Sequence, residues 1–148
     1  MYKHILLPTD GSPLSQKAVK QCIRLAKSIG AKITVLNVTP EFQMIMDEGF
    51  VMPNAGVVKK RFEEETGKRS KKLLAEVTAS ASAAGVDCDS VSVSSGVPYD
   101  AIIKQAKKAK CDLIMMASHG RKGLSSILLG SETAKVLTHS TIPVLVVR

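Results

Sequence analysis

The chain has 148 residues, 45% of them hydrophobic and 23% charged, which fits one globular domain large enough to bury a core. Two tyrosines, three phenylalanines and no tryptophan make that core aliphatic. The formal net charge of +8 invites a nucleic-acid reading, but its distribution argues against one. In KKRFEEETGKRSKK (59–72) three glutamates interleave with seven cations, giving Glu64/Lys68 and Glu65/Arg69 at helical i, i+4 spacing. A second group, Lys104, Lys107, Lys108 and Lys110, has no aromatic residue among it to stack bases.

Taken in chain order, the elements alternate between strand-like runs and helical stripes. HILLPT (4–9) reads as a first strand. Ser12-Pro13 then signals a helix start, because proline suits the first turn, where its missing N–H would have no partner. Ala18, Val19, Cys22, Ile23 and Ala26 form the apolar stripe of that helix, and Gly30 suits its end. KITVLNV (32–38) is the second strand. TPEFQMIMDEGFVMPNAG (39–56) is expected to be a loop, longer than compact domains carry without a reason. Its Met44, Ile45, Met46, Phe50, Val51 and Met52 suit packing over the domain, over a partner or over a ligand.

Phe62, Leu73, Leu74, Val77, Ala81 and Ala84 predict a helix of about 57–85, closed by Gly85. CDSVSVS (88–94) follows as the third strand. Pro98 opens a helix over 98–109 with Ile102, Ile103 and Ala106 inward, DLIMMA (112–117) is the fourth strand, and Ala134 and Leu137 mark a helix over about 130–140. IPVLVV (142–147) is the fifth strand. Three of the five strands are nearly continuously apolar, the pattern of a parallel sheet covered on both faces. The expected fold is α/β: a five-stranded parallel sheet, doubly wound, with helices on both faces, in a single domain over 1–148.

After MYKH the run Ile5-Leu6-Leu7 stops at Pro8, too short for a signal-peptide core, and no later run approaches the roughly 18 apolar residues that cross a bilayer. Cys22, Cys88 and Cys111 are odd in number, lack C-x-x-C spacing and sit in apolar contexts. They are expected to be free buried thiols in a reducing compartment, and the protein is expected to be cytoplasmic, with no membrane association.

In open parallel sheets, ligands lie beyond the carboxyl ends of the strands, near the point where strand order reverses. Those ends carry PTDGS, NVTP and ASHGRKG. Asp10 is the one acid in PTDGS: its carboxylate suits ribose hydroxyls or a divalent cation held against phosphates, or it begins a turn and helps Ser12 cap the helix. In MASHGRKGLSSILLGSET (116–133), Gly120, Gly123 and Gly130 let a ligand approach the backbone, and Gly130-Ser131 precedes or opens the last helix. Arg121 and Lys122 add charge. The plainer alternative is a glycine-containing loop with Ser131 as N-cap. Neither G-x-x-x-x-G-K-[ST] nor G-x-G-x-x-G is present, and SHG around His119 lacks the nucleophile-elbow pattern. His4, His119 and His139 are scattered, so no general base, nucleophile or zinc site stands out, and an enzyme is not indicated.

Pro8-Thr9-Asp10-Gly11-Ser12 resembles the Pro-x-Asp-x-Ser segment of the universal stress protein family, and LIMMASHGRKGLSSILLGSETAKVLTHSTIPVLVVR resembles its fourth strand, binding loop, last helix and closing strand. The family's nucleotide pattern, Gly-x2-Gly-x9-Gly-[Ser/Thr], aligns with Gly120, Gly130 and Ser131, while Ala117 replaces its first glycine. The resemblance covers the whole chain. It implies strand order 3-2-1-4-5, as in the adenine nucleotide alpha hydrolase-like folds, and binding of ATP or AMP, with Mg2+ or Mn2+ at Asp10. Carried over, Pro8, Thr9 and Asp10 lie beside ribose and phosphates, Val38 meets adenine, and Met116 and Ala117 line the ribose side. Gly120, Gly130, Ser131, Glu132 and Thr133 cradle the phosphates, mostly through backbone N–H groups and hydroxyls.

It further implies a stress-response sensor or regulator that dimerises through 142–147, an apolar edge strand, and signals to an unknown protein partner. The alternatives are a slow metal-dependent ATPase and a dimeric interaction module that binds no nucleotide.

Overall fold

The computed structural model describes residues 1–44, 52–120 and 129–148. The elements run β1 (His4–Pro8), α1 (Pro13–Ile29), β2 (Lys32–Thr39), α2 (Ala55–Ala83), β3 (Cys88–Ser94), α3 (Pro98–Lys108), β4 (Leu113–Ala117), α4 (Ser131–His139) and β5 (Val144–Val147). The strands form one parallel sheet of order β3-β2-β1-β4-β5, as expected. Successive side chains of a strand point to opposite faces, so the apolar runs feed two cores at once. Ile5, Leu7, Ile33, Val35, Leu113 and Met115 pack on one face with Val19 and Cys22 of α1 and Leu74 and Val77 of α2. Leu6, Leu36, Ile114 and Met116 pack on the other with Ile102, Ile103 and Ala106 of α3 and Val136 of α4. Burial of each such aliphatic side chain contributes about 1.5–3 kcal/mol.

Local chemistry sets the ends of α1. Ser12 accepts the Ser15 N–H at 3.3 Å, Pro13 opens the helix, and Gly30 closes it at φ 68°, a left-handed conformation that costs glycine little. At the amino edge of the sheet, the Asp112 carboxylate accepts the N–H groups of Lys3 and His4 at 2.8 and 2.9 Å, tying the start of β4 to that of β1. The buried His4 ring pairs through Nε2 with Thr34 Oγ1 at 2.8 Å. Burial, and secondarily the Lys32 charge, hold its pKa below the ordinary value.

Several boundaries and contacts differ from expectation. α2 spans Ala55–Ala83 rather than 57–85, with Ala84 as its cap; Gly85, at φ 75°, closes it as expected, its N–H donating to Ser82 O and that of Val86 to Ala81 O, both at 2.9 Å. That helix consumes the end of the expected long loop. The Phe42 ring sits 5.5 Å from that of Phe62 on α2, while Met44 and Met52 are exposed. Ile45, Met46, Phe50 and Val51 fall outside the described residues. On the outer face of α2, the ion pair within 4.0 Å is Lys59–Glu63 rather than Glu64/Lys68 or Glu65/Arg69. β5 starts at Val144 rather than 142 because Pro143 has no N–H for the ladder and the Ile142 N–H is taken by Ser140 Oγ at 3.0 Å. Cys22 and Cys111 are buried, but Cys88 is only half-buried, since β3 is an edge strand.

Candidate functional site at the carboxyl edge

Chain order steps outward from β1 through β2 to β3, then returns to the other side of β1 with β4 and β5. The reversal lies between β1 and β4, and the loops leaving these two strands face each other across it. Pro8 ends β1 opposite Leu36, and the Thr9 N–H continues the ladder to Leu36 O at 2.8 Å. Asn37 Nδ2 donates to Thr9 O at 2.8 Å, and Thr9 Oγ1 lies 2.5 Å from Ser15 Oγ. Ser15 Oγ also accepts the Asp10 N–H at 3.2 Å. These buried polar contacts fix the exit of β1 so that Asp10 emerges at the edge. Asp10 Oδ1 accepts the Ser12 N–H at 2.9 Å, so the carboxylate shapes the turn ahead of α1 as well as standing at the strand end.

The end of β4 meets Asp10 directly. A Cβ on Gly120 would overlap Asp10 Oδ2 and stand 3.5 Å from Cγ. A Cβ on Gly130 would lie 3.0 Å from His119 Cβ and 3.1 Å from His119 Cα, and the Gly130 N–H donates to Ser118 O at 2.6 Å. A side chain at either position would therefore have to displace a neighbour, the end of the Asp10 side chain at Gly120 and His119 at Gly130. Gly130 has φ −69° and Gly120 is not in the positive-φ region, so neither is used for a left-handed turn. Ala117 likewise keeps an ordinary negative φ, and the methyl group at the first motif position introduces no backbone strain.

α4 opens with its first amides outside the helical ladder. Gly130 is its N-cap and supplies no side-chain cap; the first N–H to reach back is that of Ala134, to Gly130 O at 2.9 Å. The N–H groups of Ser131, Glu132 and Thr133 have no partner within the helix, and the positive end of its dipole points the same way. Ser131 is thus the first helical residue, not the N-cap. The Thr133 hydroxyl donates to Ala117 O at 3.0 Å and holds this turn against β4. Glu132 turns its carboxylate to α3, where Oε2 accepts the Tyr99 N–H at 2.9 Å.

Of the sequence-predicted residues, Pro8, Thr9, Asp10, Ala117, Gly120, Gly130, Ser131 and Thr133 all come to this edge. Val38 is half-buried near the end of β2, one residue past Asn37, and packs on the α3–α4 side of the core. Met116 lies in that same core, while Ala117 belongs to the α1–α2 side. Arg121, Lys122 and Gly123 fall outside the described residues. Asn37 and Ser15 were missed, although the one amide inside the apolar KITVLNV run was a visible signal. A separate groove of about 420 Å3 lies between the ends of β2 and β3 and α2, lined by Thr39, Glu41, Phe42, Lys59, Glu63 and Ser92, and contains none of the candidate residues. Among the described residues, no cluster of three His, Cys, Asp or Glu side chains is arranged to hold a metal ion, and no helix is long and apolar enough to cross a membrane.

Known proteins share this arrangement. The chain is 36% identical to the universal stress protein MJ0531 of Methanocaldococcus jannaschii, over its whole length and 83% of the relative's. The solved structure of MJ0577, from the same organism, superposes with a TM-score of 0.85 at 28% identity, covering 99% of this chain and 96% of that one. A universal stress protein solved in complex with cAMP has a TM-score of 0.70 at 28% identity, covering 99% and 97%. The model of the universal stress protein family matches residues 1–148. With the sheet order, the crevice and the full-length match in agreement, the chain belongs to the universal stress protein family.

Proposed function

We propose that the chain binds ATP or a related adenine nucleotide in the crevice between β1 and β4, and that the bound state regulates its contacts in a cytoplasmic stress response. The observation that carries this reading is the uncapped start of α4 at the carboxyl edge, where Gly130 packs on Ser118 and His119 and the next residue, Gly120, packs on Asp10. The cAMP complex of a relative adds a nucleotide in the same family. In this reading the amides of Ser131, Glu132 and Thr133 and the Ser131 hydroxyl take the phosphates, and Gly120 and Gly130, lacking side chains, let the end of β4 close on Asp10 and the start of α4 close on His119. Pro8, Thr9 and Asp10 border the ribose, Met116 and Ala117 line its other side, and Val38 offers adenine an apolar wall.

Mg2+ or Mn2+ fits Asp10 only as one oxygen ligand among phosphate oxygens, the hard donors such cations take; when bound, it would neutralise charge between carboxylate and phosphate. The β5 edge supports a homodimer: Leu145 is exposed and Val144 and Val146 are half-buried on a strand that, among the described residues, ends the sheet, and a monomer in sedimentation at micromolar concentration would contradict it. Denaturing the purified protein and identifying what it releases tests the nucleotide, with ATP or AMP expected. Gly130→Val should abolish binding by filling the contact with His119; unchanged affinity would refute the placement. Metal-dependent phosphate release, lost in Asp10→Ala, would move the reading to a slow ATPase.

A further inference from the structure

Helix α3 begins without a cap of its own. Its N-cap residue, Val97, has no side-chain acceptor, and Pro98 follows it. The Tyr99 N–H in that first turn is satisfied from a different helix, by Glu132 Oε2 at 2.9 Å. The other carboxylate oxygen, Oε1, lies 3.4 Å from Lys135 Nζ, which also stands 5.5 Å from the centre of the Tyr99 ring. Glu132 is the second residue of α4, and its own backbone N–H is one of the three open amides of that helix. One residue on, the Thr133 hydroxyl anchors the same turn to Ala117 O at 3.0 Å. The first turn of α4 is therefore held on two sides, by β4 through Thr133 and by α3 through Glu132.

Resting on the nucleotide reading above, we propose that Glu132 is a positioning residue: its carboxylate, bonded to the head of α3, fixes the direction in which the amides of Ser131, Glu132 and Thr133 meet a phosphate. This runs opposite to simple electrostatics. A carboxylate in the first turn of a phosphate-binding helix repels the ligand, so its removal should tighten binding if repulsion is all it contributes. Held on the Tyr99 N–H and Lys135, the charge is engaged away from the crevice, and what it supplies is orientation.

The test compares wild type, Glu132→Ala and Glu132→Gln by calorimetric titration with ATP, and by amide hydrogen exchange of the ligand-free proteins. Glu132→Gln keeps an oxygen that accepts from Tyr99 but loses the charge. ATP affinity is expected to fall roughly threefold to tenfold in Glu132→Ala and to stay within about twofold of wild type in Glu132→Gln, the range set by the net contribution of one ordinary hydrogen bond. Exchange of the Tyr99 amide should accelerate in Glu132→Ala and not in Glu132→Gln. Equal or tighter ATP binding by Glu132→Ala overturns the proposal, as does unchanged Tyr99 exchange in that variant. Absence of binding heat in wild type refutes the nucleotide reading instead, and the exchange arm, which needs no ligand, then decides whether Glu132 holds the turn.

Discussion

Replacing Gly120 with alanine is expected to act on Asp10, far away in sequence. The new Cβ would overlap Oδ2 and stand 3.5 Å from Cγ. The obstructing atom ends a side chain rather than belonging to backbone, so the carboxylate rotates away and the main chain stays. Rotation breaks the 2.9 Å bond from the Ser12 N–H to Oδ1. A hydrogen bond to a charged acceptor contributes about 1.5–3 kcal/mol, and the partial exposure of Asp10 lets water recover part of it, leaving a loss of about 1 kcal/mol. For a chain of this length that is a fall of about 2–4 °C in Tm. Alanine also restricts the unfolded chain, a gain of about 0.4–1 kcal/mol that would mask the loss in a single variant. Urea unfolding of wild type, Gly120→Ala, Asp10→Ala and the double variant removes that ambiguity, because the entropic gain cancels around the cycle. With the carboxylate gone, the methyl group has nothing to displace, and a coupling of about 1 kcal/mol is expected. Additivity within about 0.3 kcal/mol would show that the two residues do not touch and would refute the geometry of the crevice.

Three further outcomes follow from buried groups. His4 has a folded-state pKa lowered chiefly by burial, so the unfolded chain binds the proton more readily. Stability should be fully present above the ordinary histidine value of 6.5 and decline as pH falls from there toward the lower folded value, by at most about 1.4 kcal/mol per unit. Tm measured between pH 7.5 and about pH 5 should show that slope in wild type and lose it in His4→Gln; equal slopes would contradict it. Asn37→Ala removes the donor to Thr9 O and should cost about 1–2 kcal/mol in urea unfolding, whereas a neutral result would mean that the Thr9 carbonyl is held by other contacts. The buried thiols of Cys22 and Cys111 are pushed up to about 12 and 11, by burial first in each case, so in a Cys88→Ser background, which removes the half-buried thiol, a disulfide reagent at pH 8 should label them only on unfolding. Rapid labelling of the native protein would overturn that reading.

The fold was legible where one side chain carries its own instruction. Ser12-Pro13 and Gly30 bracket α1 because a cap, a ring and a left-handed residue act locally. The apolar strands declared a sheet covered on both faces for the same reason. Boundaries slipped where a neighbour decides: β5 loses its first two residues to the missing N–H of Pro143 and the Ser140 hydroxyl. At the site, Gly120 and Gly130 were visible as glycines, but their purpose was not. Periodicity and motif spacing cannot tell a positive φ from a clearance against Asp10 or His119, because those contacts exist only once β1, β4 and α4 are assembled. Glu132 shows the same limit. An acid in the first turn of a helix was apparent, while its bond to Tyr99 depends on the packing of α3 against α4.

Whether this chain binds an adenine nucleotide is measured most directly by the thermal shift of the purified protein with ATP and with AMP. A ligand at a hundred times its Kd stabilises the native state by about 2.7 kcal/mol, which for a domain of this length raises Tm by roughly 5–10 °C. The account predicts such a rise with at least one of the two nucleotides in wild type, and its loss in Gly130→Val. No shift with either nucleotide at millimolar concentration, in protein stripped of anything that co-purified, would contradict it.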